Sequence, residues 1–237
     1  MKQKANCDSS AFTRVELVVV IAIVLVLVAM LVPSTCKPLK AYAPRAICMG
    51  NLQKLGIAVR DWDQPGGGPP NALVKADQSL DFWTNPVIVS KLSSTKDLIC
   101  PTDERLPAMD FKTDLRDTSH VSYFVGANAS DVYPQFIAAG DRNLGPGAVP
   151  GPDYGYSSTN GHGNDVAVPI SGPVSWSLKM HSAGNTAGAG NILLGDGSAQ
   201  QTSSASFNSN ILSKSNPTTN WPVGHVPSVP SVRLVFP

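Results

Sequence analysis

The chain has 237 residues, which suits one membrane segment plus one globular domain, and its 18 Lys+Arg against 17 Asp+Glu give a formal net charge of +1. Charge this sparse and balanced offers no basic cluster to displace counterions, so nucleic acid is excluded as a partner. Twenty Gly and twenty Pro exceed the average usage of about 12% for the pair and call for a domain of loops and short strands.

Residues 1–11 are polar and read as a removable leader. From Leu17 to Val32 the chain is apolar for sixteen residues without a break, with Glu16 at the threshold and Pro33 at the end. A secretory signal has an apolar stretch of about 7–15 residues followed by a small-residue cleavage site, and it carries no acid there. An acidic group in hydrocarbon costs roughly 2.5–3.5 kcal/mol, so Glu16 calls for a partner. Phe12 and Glu16 stand four apart and share a helix face. A terminal ammonium made by cleavage, a neighbouring subunit's ammonium and Arg14 are the available partners. The plainer alternative is a membrane anchor whose Glu reaches the interface. A helix over Phe12–Val32 would rise roughly 31 Å at 1.5 Å per residue, against a hydrocarbon core of about 30 Å. Lys2, Lys4 and Arg14 precede the run and Lys37, Lys40 and Arg45 follow it, so the positive-inside rule gives no orientation.

Pro33, Pro38 and Pro44 come next. An interior proline removes a backbone hydrogen bond, so a kink is expected at Pro33 and a weak or broken segment near Pro38. Pro44 is expected to open a second helix in its first turn. Along that helix Cys48, Leu52, Leu55, Val59 and Trp62 form one apolar stripe, with Asn51, Lys54, Arg60 and Asp61 off it. Gln64-Pro-Gly-Gly-Gly-Pro-Pro70 ends it.

Short β-branched runs between turns follow. Strands are expected at 87–89, 97–100, 120–125, 135–138, 174–177 and 190–194, with edges at 199–202 and 232–236. Gly195-Asp196-Gly197 reads as a hairpin turn. Residues 140–163, full of Gly, Pro, Asn and Ser, read as a long surface loop. These elements together predict an α+β fold, an amphipathic helix packed on an antiparallel sheet with long loops.

The N-terminal pattern Ala11-Phe12-Thr13, Glu16 and the Val/Ile/Leu tract resembles the class III signal of type IV pilins and type II secretion pseudopilins. Weaker pieces, in order, are similar to a large-pseudopilin subgroup: Cys48-Met-Gly-Asn-Leu-Gln-Lys-Leu-Gly56, Cys100-Pro-Thr-Asp103, Ser122-Tyr-Phe-Val125, Ala139-Gly-Asp-Arg-Asn-Leu144, His181 and Gly190-Asn-Ile-Leu-Leu-Gly-Asp-Gly-Ser198. The resemblance implies cleavage between Ala11 and Phe12 by a prepilin peptidase and N-methylation of Phe12. It implies Glu16 as the assembly residue, with other pilin or pseudopilin subunits and the inner-membrane assembly platform as partners. It departs from the family in carrying Ala11 where Gly is usual and Arg14 where an apolar residue is usual. The implied layout is a leader (1–11), a transmembrane and assembly helix (12–32), a kinked linker and amphipathic helix (33–62) and an exported loop-rich β domain (63–237). The implied location is the bacterial inner membrane, single-pass with the N-terminus cytoplasmic, or a filament.

Cys7 leaves with the leader, and no Cys-x-x-Cys pair suggests a zinc knuckle. In an exported domain a Cys48–Cys100 disulfide is permitted. Cys48 lies on the apolar stripe, Cys36 would sit about 120° away on an unbroken helix, and Cys100 ends an apolar run. Two buried free thiols are the alternative. The four histidines are scattered without metal-ligand spacing and read as solvated or turn residues. Asn164 and Asp165 lie in the one oxygen-rich loop that could hold calcium, although a polar loop has the same composition. No Gly-x-Ser-x-Gly elbow, P-loop or paired-carboxylate signature is present. No cofactor and no enzyme activity are expected. The rival reading is an anchored exported domain that binds a ligand, such as glycan, through Trp83, Trp176 and Trp221.

Overall fold

The computed structural model describes residues 13–31, 39–62, 79–127, 129, 134–157, 165–182, 187–215 and 232–237, and the chain divides into two units, Met1–Leu39 and Lys40–Pro237. In the first unit, helix α1 covers Arg14–Leu31. Its large apolar side chains from Val15 to Val28 are between 49 and 72% exposed. Eighteen residues rise about 27 Å, and among the described residues no helix is long and apolar enough to cross a membrane. Pro33 and Pro38 lie outside the described residues.

Helix α2, Leu39–Trp62, belongs to the second unit from Lys40 onward. It begins ahead of the expected start, so Pro44 falls inside the helix rather than in its first turn. Cys48, Leu52, Leu55 and Val59 are buried as the stripe requires, and Ala58 and Asn51 are buried beside them. Asn51 thus belongs to the inward face.

Two of the expected strands do not form. Val87–Val89 lies in α4, Pro86–Lys91, which follows the short α3, Leu80–Trp83. Asn85 caps it by accepting from the Val87 amide at 2.9 Å, and Pro86 occupies the first turn. That start signal outweighs the β preference of Val-Ile-Val. Residues Thr95–Leu98 form a 3₁₀ turn, drawn in by Asp97, which accepts from the Ser93 and Ser94 amides at 2.7 and 3.2 Å.

The strands are β1 Tyr123–Gly126, β2 Ile137–Asp141, β3 Leu144–Pro146, β4 Val166–Ile170, β5 Val174–Trp176, β6 Ala189–Leu194, β7 Ala199–Ser203 and β8 Val232–Phe236. Six make one antiparallel sheet in the order β4-β8-β1-β2-β6-β7, and β3 pairs with β5. Period-two alternation splits this sheet between two cores. Tyr123, Val125 and Leu193 face the side that carries Leu52, Leu55, Val59, Trp83 and Ile88. Phe124, Ile192, Leu234 and Phe236 face the side that carries Trp176, Phe207 and Leu144. β4 was not among the expected strands; it contains Pro169, which an edge strand tolerates. The β6–β7 hairpin turns as expected at Gly195–Gly197, where Gly197 has φ +80° and Asp196 accepts from the Ser198 amide at 2.8 Å.

Candidate functional site

The long surface loop expected over 140–163 begins instead in the interior. Asp141, Arg142 and Asn143, three consecutive polar residues, are at most 1% exposed. Each ties separate parts of the chain. Asn143 donates through Nδ2 to the carbonyls of Lys179 and Ala189 at 2.9 and 3.1 Å. Arg142 grips Asp103 with two bonds of 2.7 Å, Nε to Oδ2 and Nη2 to Oδ1, and its guanidinium lies 3.5 Å from the Tyr154 ring centroid. Burial pushes the Asp103 carboxyl up, but the hydrogen bonds and charge of Arg142 outweigh it and hold the group below its ordinary value. Burial pushes the Tyr154 hydroxyl up to about 12. Arg105 donates to the carbonyls of Thr118, Val121 and Pro237 at 2.8, 2.6 and 3.0 Å. Burial and the nearby Arg142 charge bring its guanidinium down to about 10.

Beside this lies a tighter cluster. Cys48 of α2 and Cys100, after the 3₁₀ turn, form a disulfide with a Cα–Cα distance of 5.1 Å. This is the pair the stripe geometry favoured. His181 Nε2 sits 3.3 Å from Cys100 Sγ and 3.3 Å from Asp141 Oδ2. Asp141 Oδ2 accepts from the Asn191 amide and Nδ2 at 2.6 and 3.0 Å. Arg45 donates to the His181 carbonyl. Asn51 donates to the Ile99 carbonyl and the Tyr123 hydroxyl at 3.2 and 3.3 Å. Burial, with the Asp141 charge, pushes the Tyr123 hydroxyl well above its ordinary value. Cys48, Cys100, Asp141, His181 and Asn191 are each 2% exposed or less. His181 is therefore not a solvated histidine, although its amide closes a tight turn by donating to the Lys179 carbonyl at 2.8 Å. The two sulfurs and the imidazole nitrogen lie within 4.8 Å of one another, and joined in a disulfide the sulfurs carry no thiolate charge.

The other expected site residues fall elsewhere. Ala11, Phe12, Asn164, His162, His225 and Trp221 lie outside the described residues. Glu16 accepts from the Thr13 amide and hydroxyl at 2.7 and 2.9 Å, and Thr13 Oγ1 accepts from the Glu16 amide at 3.3 Å, a reciprocal capping box at the start of α1. Asp165 Oδ1 accepts from Ser79 Oγ and Thr118 Oγ1 at 3.0 and 2.9 Å, and Oδ2 takes the Ser79 amide. These donors make Asp165 a staple between two segments. His120 Nδ1 lies 2.7 Å from the Leu106 carbonyl. Trp83 and Trp176 are wholly buried, with their indole N–H groups donating to Ser79 Oγ and Thr202 Oγ1 at 3.2 and 3.1 Å. Neither ring can stack on a sugar.

Asp141, Asn191 and Asn51 escaped the sequence reading as site residues. The available signal was Asp141-Arg-Asn143 beside His181 and Gly190-Asn191, but polar residues flanked by Gly read as loop. Comparison of the chain with protein-family models, curated proteins and solved structures finds no match.

Proposed function

We propose that the chain is a pilin-like structural subunit of a type II secretion pseudopilus or type IV pilus, processed by a prepilin peptidase and assembled through its N-terminal helix. The carrying observation is α1: an apolar helix with its large side chains about half exposed or more and one acid at its first turn. Such a helix needs lipid or other apolar helices around it. The tract 12–32 is the segment that would reside in the inner membrane before assembly, with the second unit exported. The Glu16 carboxylate accepts the amide of Thr13, the residue next to the Phe12 amine that cleavage would create. The second unit buries several polar residues as cross-ties, among them Arg105, Arg142 and Asn143, which supports a structural role. The burial of Trp83 and Trp176 weighs against the glycan-binding alternative.

N-terminal mass spectrometry of membrane-extracted protein tests this reading. The expected terminus is N-methylated Phe12; an intact Met1 terminus or a cut beyond Val32 refutes it. Glu16→Gln keeps the shape and removes the charge, so it should insert yet fail to co-assemble with the unaltered subunit, whereas a plain anchor would show no assembly defect.

A further inference from the structure

Helix α1 carries two charged side chains, Arg14 at its first residue and Glu16 two residues on, and the rest of it is apolar. Residues two apart on a helix stand about 200° around the axis and do not face each other. Arg14 and Glu16 therefore cannot pair within one chain, and they lie on nearly opposite sides of α1. Glu16 Oε2 is taken by the Thr13 amide and hydroxyl, while Oε1 has no hydrogen-bond partner among the described residues. The exposed Arg14 guanidinium has no partner among them either.

Each charge heads its own apolar strip. Val18, Ile21 and Leu25 lie within about 40° of Arg14 around the axis, and Val20, Ile23 and Leu27 within about 40° of Glu16. All six are at least 49% exposed. Copies inserted into one membrane by the same route run parallel. A two-fold axis between two of them would set Arg14 against Arg14, or Glu16 against Glu16, and the like charges repel. A sideways translation instead brings the Glu16 side of one copy against the Arg14 side of the next. That needs sides 180° apart, and 200° leaves a turn of about 20° per step. The two residues differ in height by about 3 Å, which an arginine side chain spans. Such a contact is heterologous, with a different face from each partner, and it does not close on two copies. In apolar surroundings each charge would be stranded without it.

We propose that α1 recruits further copies of this chain side by side through an Arg14–Glu16 ion pair between neighbours, flanked by the two apolar strips, so that the contact builds an open row and not a closed dimer. The inference deepens the structural-subunit reading, on which it rests for the apolar surroundings of α1. Arg14, which departs from the apolar residue usual at its position, becomes the partner that Glu16 lacks within its own helix. Two other partners compete: the amine left by cleavage before Phe12 for Glu16, and a phospholipid phosphate for Arg14. Neither makes assembly depend on both side chains at once.

The test uses the full chain in the membranes of a bacterial host, with photoreactive benzoylphenylalanine in place of Val18. Irradiation should give dimers, trimers and larger products, and mass spectrometry should place the adducts on the Glu16, Val20 and Ile23 side of the neighbour. Arg14→Gln and Glu16→Gln should each cut the products above monomer by about tenfold, with alkaline extraction showing both variants still inserted. Arg14→Lys keeps the charge and should keep the series. Mixed together, the two Gln variants retain one workable pairing and should give dimers that do not extend. Exchange of the charges, Arg14→Glu with Glu16→Arg, should restore the longer series. If a Gln variant fails to insert, the adduct position and the charge exchange decide. An unchanged series in Arg14→Gln overturns the proposal, as do dimers alone, adducts on the neighbour's Arg14 side, or no cross-linked product from the otherwise unaltered chain. The terminus found in the same membranes keeps the two readings apart. Methylated Phe12 with a series independent of Arg14 refutes this contact alone; an intact Met1 with a series dependent on Arg14 refutes the structural-subunit reading alone.

Discussion

Reduction of the Cys48–Cys100 bond in chelator-containing buffer removes a cross-link that spans 52 residues of sequence. A loop of that length corresponds to about 4 kcal/mol at 25 °C in the chain-entropy relation. For a folded unit the size of Lys40–Pro237, 1 kcal/mol moves the melting temperature by about 2–4 °C, so a fall of about 8–16 °C is expected. Reduction leaves both sulfurs in place and isolates the cross-link. Cys48→Ala with Cys100→Ala also removes packing at two sites of 0% exposure and should fall at least as far. Urea unfolding of the reduced chain should have a steeper denaturant dependence, because an unlinked denatured state exposes more surface. Thermal melts by circular dichroism, with a free-thiol count on the unfolded sample, measure all of this. A shift below about 2 °C in a fully reduced sample would refute the reasoning.

Asp103→Asn leaves the buried Arg142 guanidinium without its counter-charge and should cost about 3–5 kcal/mol, read as a lowered urea midpoint. The Asp103 carboxyl sits below its ordinary value of 3.8 in the folded chain. Its contribution is therefore complete above that value and is lost as pH falls through the folded-state value. Melting temperature should drop on acidification below about pH 4, and less steeply in the Asn variant. Gly190→Ala would place a Cβ 2.4 Å from the Trp176 ring, and the resulting overpacking should cost about 1–3 kcal/mol, with a change in Trp fluorescence as a second readout.

The helix stripe was legible because burial on one side imposes a spacing that composition cannot hide. Cys48, Leu52, Leu55 and Val59 follow it, and all are buried. Strands β6 and β7 were legible because Asp196-Gly197 marks their turn. Val87-Ile-Val89 favours a strand by side-chain preference, but the Asn85-Pro86 cap ahead of it governs the segment and makes it helical. The candidate site was legible only at its sulfurs, Cys48 from the stripe and Cys100 from the end of an apolar run. Its polar members sit in Gly-rich surroundings, and burial of Asp141-Arg-Asn143 depends on the Asp103 carboxylate and on carbonyls and amides supplied by residues 177–191. No local pattern encodes partners that far along the chain.

The position of β8 in the sheet bears on how this chain reaches its fold. Val125 pairs with Val235, and among the described residues β4 pairs with β8 alone, so two neighbours in the sheet wait for residues 232–236. A contact set this non-local slows folding, since loop-closure entropy is spent before pairing compensates it. A chain emerging N-terminus first would present the outer edge of β1 with its amides and carbonyls unpaired, beside the apolar Phe124, until the late strand arrives. Unpaired edges of that kind recruit other chains. Aggregation during refolding should therefore be set by how long β1 stays open, and a peptide of the β8 sequence, Val232–Phe236, added in trans would be a direct competitor for that edge.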